Sequence, residues 1–246
     1  MGAAPANSAV EAVEHPTSES PFDWTRLRHD AGRVEYVVDG QVKSRLGIDV
    51  SESQHSIDWP QVAADGIDFA MIRLGYRGAT EGELYLDDHF DANFEGAQAA
   101  GIDCGVYFFS QACTVEEAVE EADFVLNKLN GAQLAYPIAF DSETITVNGV
   151  PSRTDKLSMS ELTAIAEAFC ERIEAAGYRT FVYGNMYDLA RYDRELIDRY
   201  QLWWAEYGPL QPSAQIDIAM WQYSNGGSIA GIQTAVDMNI DLSALL

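Results

Sequence analysis

The sequence is short of basic residues, cysteine and histidine, and each shortage removes a class of function. Against 39 Asp and Glu stand only 15 Lys and Arg, a formal charge of −24, so the basic footprint that a nucleic-acid backbone demands is missing. The imbalance is uneven. Residues 1–45 hold seven acids and five bases, a net of −2, and residues 46–246 hold 32 acids and ten bases, a net of −22. That body gains nothing from an anionic membrane or polyanion, and any polymer it binds must be held mainly by other forces. No run approaches the ~20 apolar residues of a membrane span. The three cysteines, Cys104, Cys113 and Cys170, are odd in number and form no CxxC pair, which implies neither a zinc knuckle nor a disulfide framework. Cys170 shares an apolar helical face with Leu162, Ile165, Ala166, Phe169 and Ile173 and reads as core, whereas pairing of Cys104 with Cys113 is left open. Four histidines without HxxxH-like spacing argue against a metal site, and no cofactor is expected.

What is present is a large apolar fraction. The 246 residues are 47% hydrophobic and 11% aromatic, enough for a full core, and roughly 250 residues is the usual size of one α/β barrel. Residues 1–20 are small, polar and acidic without an apolar h-region, so they read as a disordered leader and not as a signal peptide. Residues 21–45 form an extension in which Asp39-Gly40 separates two β-prone runs, Arg33–Val38 and Gln41–Arg45. That pattern predicts a β-hairpin packed on the main domain.

Residues 46–246 repeat one phrase: a helical segment, a glycine, then an apolar strand. It occurs at Ala63–Ile72, Ala99–Tyr107 and Ala175–Tyr183, with Gly66, Gly101 and Gly177 where a helix must end in a left-handed residue. Thr114 with Glu117 and Ser158 with Glu161 fit the S/T-x-x-E start of a helix. Strands are predicted at Leu46–Val50, Asp68–Leu74, Ile102–Phe109, Pro137–Asp141, Tyr178–Tyr183, Leu202–Glu206, Ile218–Tyr223 and Ala235–Ile240. Helix, glycine and buried strand in alternation are the mark of βαβ units. Eight of them in about 200 residues predict an α/β fold: an irregular (β/α) TIM-like barrel of mostly parallel strands. The last three strands leave little room for helices, so the helical ring should be incomplete. A doubly wound open sheet is the alternative, without GxGxxG or GxxxxGK[ST] to support a nucleotide site.

Acids recur where the strands end. Asp49 closes the first, Asp141 and Glu143 close the fourth, and Asp237 falls in the last, which neighbours the first once a barrel closes. At a strand period of two, Asp141 and Glu143 project from one face, roughly 6–7 Å apart. Each charge then raises the other's pKa. Glycoside hydrolysis needs such a pair, one carboxyl protonated to donate to the leaving oxygen and one to stabilise positive charge. The plain alternative is that these acids cap loops, the role assigned to Asp58 before Trp59-Pro60 and to Asp87-Asp88 before Phe90. Tyr107, Tyr183, Trp203, Tyr207, Trp221 and Tyr223 lie in or just after predicted strands, where aromatic rings can stack on sugar faces or simply fill core.

Taken together, Gly47-Ile-Asp-Val-Ser51, Ile57-Asp-Trp59, Ile72-Arg-Leu-Gly-Tyr76, Gly105-Val-Tyr107, Asp141-Ser-Glu143, Leu202-Trp-Trp-Ala-Glu-Tyr-Gly208, Met220-Trp-Gln-Tyr223 and Val236-Asp-Met-Asn239 resemble the glycoside hydrolase family 25 lysozymes, the Chalaropsis-type N-acetylmuramidases. The likeness covers about residues 46–241. It implies an irregular β/α barrel that cleaves the β-1,4 bond between N-acetylmuramic acid and N-acetylglucosamine in the peptidoglycan glycan strand. By position, Glu143 matches the proton donor, Asp141 its partner carboxylate, and Asp49 and Asp237 the two further acids. Tyr183 matches a substrate-contacting tyrosine, with Tyr107, Trp203 and Tyr207 expected along the groove. Phe108-Phe109 departs from the polar aromatic pair of many members. The implied protein is a secreted or wall-associated monomer whose signal peptide is not in this chain, with no nucleic-acid or membrane partner. A non-catalytic peptidoglycan-binding module on the same barrel and a metal-dependent hydrolase are the rival readings.

Overall fold

The computed structural model describes residues 20–246. Apart from Ser20, the leader expected over residues 1–20 lies outside the described residues. Three short antiparallel strands come first: β1 (Leu27–Asp30), β2 (Arg33–Val38) and β3 (Gln41–Val42). Asp39 and Gly40 both take positive φ, 52° and 76°, the turn geometry whose twist matches that of the flanking strands. Ala31-Gly32 makes a second such turn between β1 and β2. No apolar alternation in Leu27-Arg-His-Asp30 announces that strand. Phe22, Trp24 and Tyr36 pack ring on ring with centroids 5.2–6.3 Å apart. Arg33 ties the sheet to the barrel by donating to the carbonyl (2.7 Å) and carboxylate (2.8 Å) of Asp65.

The barrel runs through β4 (Arg45–Val50), β5 (Phe69–Arg77, with the short antiparallel β6, Leu84–Leu86, on its end), β7 (Asp103–Phe109) and β8 (Ile138–Asp141). A small hairpin, β9 (Thr146–Val147) and β10 (Val150–Pro151), follows β8. The circuit continues with β11 (Thr180–Gly184), β12 (Gln201–Ala205), β13 (Met220–Gly227) and β14 (Val236–Asp241), and closes where β4 pairs with both β14 and β5. These are the eight strands that the apolar runs predict. All are parallel to their neighbours except β14, which runs antiparallel to β13 and to β4. The reason is length. Residues 228–235 are too few for a crossover of a dozen or more residues, so the chain can only fold straight back.

The helices are α1 (Trp59–Ala64), α2 (Phe90–Ala99), α3 (Val115–Leu129), α4 (Met159–Ala175), α5 (Met186–Leu189) and α6 (Arg194–Arg199), and no helix lies between β12 and β13 or between β13 and β14. Their starts are locally encoded. Ser158 and Glu161 form a reciprocal capping box on α4. Thr114 caps α3, but Glu117 reaches back to the N–H of Cys113 instead of Thr114. Asp58 caps α1 as expected. Asp87 does not cap α2: its buried carboxylate accepts from Arg73 Nε (2.8 Å) and from the N–H of Glu52 (3.0 Å). Its other oxygen accepts the N–H of His89 just before the helix (2.9 Å), so Arg73 and the helix entry share the carboxylate. Cys104, Cys113 and Cys170 are all free thiols.

Strand alternation sorts side chains into two cores. From β5, Ala70, Ile72 and Leu74 face the helices, while Phe69 and Met71 point into the barrel with Phe181, Trp203 and Met220. Glycine makes room for this filling. A Cβ on Gly47 would lie 2.3 Å from the Phe69 ring, and one on Gly105 would lie 2.6 Å from Met71 Sδ. At the N-terminal end of the strands, Phe69 stacks on Tyr136 at 4.3 Å, and the Tyr136 hydroxyl donates to Asp241 (2.9 Å). The barrel floor is thereby closed with rings. Only the opposite mouth is left for polar chemistry.

Candidate active site

At that mouth is a cavity of about 300 Å³ lined by Asp49, Tyr107, Asp141, Glu143, Tyr183, Trp203, Tyr207, Gln222, Asn225 and Asp237. All eight residues that the resemblance matches to the site therefore meet in one place. Register explains how. Asp141 ends β8 beside Tyr183 of β11, Tyr183 is level with Trp203 of β12, and Asp49 of β4 is level with Asp237 of β14. Because β14 is reversed, Asp237 reaches the mouth from the start of its strand. Acids at the C-terminal ends of strands hold for the parallel ones only.

The same alternation disposes of the other aromatics. Gln222 points inward, so its neighbours Trp221 and Tyr223 turn outward into the helix-side core. Phe108 likewise packs outward on Phe124 and Phe169. Trp203 is buried behind the cavity wall, edge-on to Tyr107 (5.9 Å) and Tyr183 (4.7 Å). It stiffens the wall. Tyr207 is the open edge, with 44% of its surface exposed.

Two amides missed by the sequence reading organise the acids. Gln222 accepts from the hydroxyls of Tyr183 (2.8 Å) and Tyr207 (2.6 Å), and its Nε2 donates to Asp49 Oδ2 (2.7 Å). Asn239 donates to the same Asp49 oxygen (2.8 Å) and accepts from Trp203 Nε1 (2.7 Å). Both lie within the phrases Met220-Trp-Gln-Tyr223 and Val236-Asp-Met-Asn239. A polar residue at inward parity in an otherwise apolar strand was the available signal. Arg73, at the mouth end of β5, adds a cation held by Glu52 (3.0 Å) and Asp87 (2.8 Å).

Burial raises the proton affinity of every acid here. Burial, followed by the charge of Asp237, pushes Asp49 up to about 8 against the pull of its two amides. Burial lifts Asp237 to about 6. Glu143 is pushed up to about 7, first by burial and then by Asp188 and Asp237. Asp141 is held well above the ordinary carboxylate range by burial, then by Glu143, Asp188 and Asp49. One of its oxygens, Oδ1, is buried without a hydrogen-bond partner. Such an arrangement can hold a proton near neutrality at one carboxyl while presenting an unsatisfied acceptor beside it.

The model of the glycosyl hydrolases family 25 matches residues 48–232. The chain belongs to that family. Among curated relatives, it is 26% identical over 193 residues to the autolytic lysozyme of Clostridium acetobutylicum, covering 78% of this chain and 54% of that one. It is 30% identical over 206 residues to lysozyme M1 of Streptomyces globisporus, covering 78% and 66%. The chain thus spans about half to two-thirds of the length of these relatives. Among solved structures, the modular autolysin LytC from Streptococcus pneumoniae superposes with a TM-score of 0.72 at 23% identity, over 87% of this chain and 51% of that one. This likeness supports the irregular TIM-like barrel.

Proposed function

We propose that this chain is a lysozyme that hydrolyses the β-1,4 bond between N-acetylmuramic acid and N-acetylglucosamine in peptidoglycan, outside the cell or at the wall. Family membership and the lysozyme names of its relatives support the reaction class. The observation that carries the residue assignment is the pairing of Glu143, pushed up to about 7, with the orphaned buried oxygen of Asp141 in one cavity. Glu143 is the general acid, protonated often enough near neutrality to donate to the glycosidic oxygen as the bond breaks. Asp141 is its partner. Its free oxygen suits the N–H of a 2-acetamido group, whose carbonyl oxygen would attack the anomeric carbon in a substrate-assisted step. Glu143, now deprotonated, then takes a proton from the water that opens the intermediate.

Asp49 and Asp237 flank this pair; the charge of Asp237, after burial and Asp188, helps keep Glu143 protonated, while Asp49 is itself held up to about 8. Tyr207 and Tyr183 offer ring faces to the sugar, and Tyr107 and Trp203 shape the wall. The test is mass spectrometry of fragments released from purified peptidoglycan by wild type and by Glu143→Gln. Wild type should release fragments with N-acetylmuramic acid at the reducing end, and a folded Glu143→Gln should release none. Clearing of walls by that variant at the wild-type rate contradicts the assignment. Binding without release by the wild type would leave a glycan-binding module.

A further inference from the structure

The segment that carries Glu143 has left its strand, since β8 ends at Asp141, so something other than the sheet ladder must fix it. Four side chains surround it. Gln111 Nε2 donates to the carbonyl of Glu143 (3.3 Å), and Arg191 Nη1 donates to Thr144 Oγ1 (3.0 Å). Asp188 Oδ1 accepts the N–H of Thr144 (3.1 Å), and Asn185 Nδ2 clamps the other Asp188 oxygen. Asp188 is the third residue of α5, whose N-cap is Asn185. An acid at that position ordinarily turns back onto the N-cap backbone. Here it reaches instead across to the neighbouring loop, and it is 4% exposed. Burying a carboxylate is costly unless hydrogen bonds compensate it, and here the Thr144 N–H and the Asn185 amide do so.

We propose that Asp188 is a positioning residue for the reaction, holding the Glu143–Thr144 peptide through the Thr144 N–H and so keeping a carboxylate one peptide away from Glu143. This rests on the reading of Glu143 as the general acid. Asp141 comes from β8, Asp49 from β4 and Asp237 from β14, with the phenols of Tyr183 and Tyr207 on the cavity wall. Two cations stand nearby: Arg191, engaged by Thr144 Oγ1 and the carbonyl of Thr154, and Arg73, engaged by Glu52 and Asp87. After burial, the Asp188 charge is the first influence that raises the proton affinity of Glu143, ahead of Asp237. Asp188 thus does two things at once, and one substitution separates them. Asp188→Asn keeps an oxygen for the Thr144 N–H and removes the charge.

Without the charge, Glu143 releases its proton at lower pH, and the high-pH limb of kcat/KM moves down with it. The experiment follows the Glu143 carboxyl carbon by NMR titration in ¹³C-labelled protein, assigned with Glu143→Gln, alongside the pH profile of wall hydrolysis. In Asp188→Asn the Glu143 midpoint should fall by roughly half a unit or more, as expected for loss of a like charge held one peptide away in a partly buried site. The high-pH limb should fall by the same amount, with KM near wild type. Asp198→Asn, an exposed acid on α6, should change neither. Asp188→Ser, a smaller neutral acceptor, is the second variant should Asp188→Asn fold poorly, and it must shift the midpoint in the same direction. An unmoved Glu143 midpoint in the folded variants overturns the proposal. Because that midpoint is read without substrate, a wild type that releases no fragments would sink the muramidase reading while the effect of Asp188 on Glu143 is still decided.

Discussion

Replacing Gln222 by alanine removes three hydrogen bonds at a stroke, and the loss can be sized bond by bond. Tyr207, with 44% of its surface exposed, can turn its hydroxyl to water, so its share is close to nothing. Tyr183 is 8% exposed, and an unsatisfied buried phenol costs ~1–3 kcal/mol. Asp49 Oδ2 loses one of its two amide donors. With Asp49 held up to about 8, it is mostly protonated at pH 6, so that bond is of the neutral kind, worth ~1 kcal/mol. Water entering the cavity recovers part of the total. The sum before that recovery is ~2–4 kcal/mol, and a net of ~2 kcal/mol lowers Tm by about 4–8 °C in a domain of this size. Thermal unfolding followed by near-UV circular dichroism measures it, and kinetics on soluble peptidoglycan fragments should show a raised KM as the two tyrosines lose their common anchor. Gln222→Glu divides the effect, since it keeps an acceptor for both phenols and loses the donor to Asp49. If Gln222→Ala melts within about 2 °C of wild type and keeps its KM, the amide network is not what holds the site.

Stability should depend on pH in a direction opposite to that of a salt-bridged protein. Asp49, Glu143 and Asp237 have native values of about 8, 7 and 6, all above the ordinary carboxylate range near 4, so between these limits the native state binds more protons than the unfolded chain. Their contribution is complete below about pH 4 and declines as pH rises through about 8. Urea unfolding of Glu143→Gln should therefore show greater stability than wild type at pH 8 and little difference at pH 4.5, and parallel curves at the two pH values would disprove the coupling. Gly47→Ala drives a Cβ to 2.3 Å from the Phe69 ring and should destabilise by ~1–3 kcal/mol as an overpacked core does. Adding Phe69→Leu should return part of that loss, and a melting temperature unchanged by Gly47→Ala alone would refute the close approach.

Much of the site could be read before any fold was built. Asp141 and Glu143 are two apart after an apolar run, and Asp49 closes another, so strand period and strand end were enough to propose them. Asp188 could not be found that way. Its importance lies in a contact with Thr144, 44 positions back in the chain, and nothing in Asn185-Met-Tyr-Asp188 distinguishes it from an ordinary helix start. Asp87 shows the reverse error. Locally it reads as a cap, yet only Oδ1 stays with the helix entry, on the His89 N–H, while Arg73 from β5 claims Oδ2 in a charge-assisted bond.

The order of apolar runs, helix starts and glycine stops is local information, and it determined the eight strands, the long helices α3 and α4, and the acidic character of one end. The tertiary structure alone decided that β14 runs backwards, that Gln222 and Asn239 share one oxygen of Asp49, and that Trp203 supports the cavity while Trp221 faces away. Those outcomes depend on register around a closed sheet. A shift of one residue there exchanges the inner face for the outer, and register is set only when every strand has found both of its neighbours.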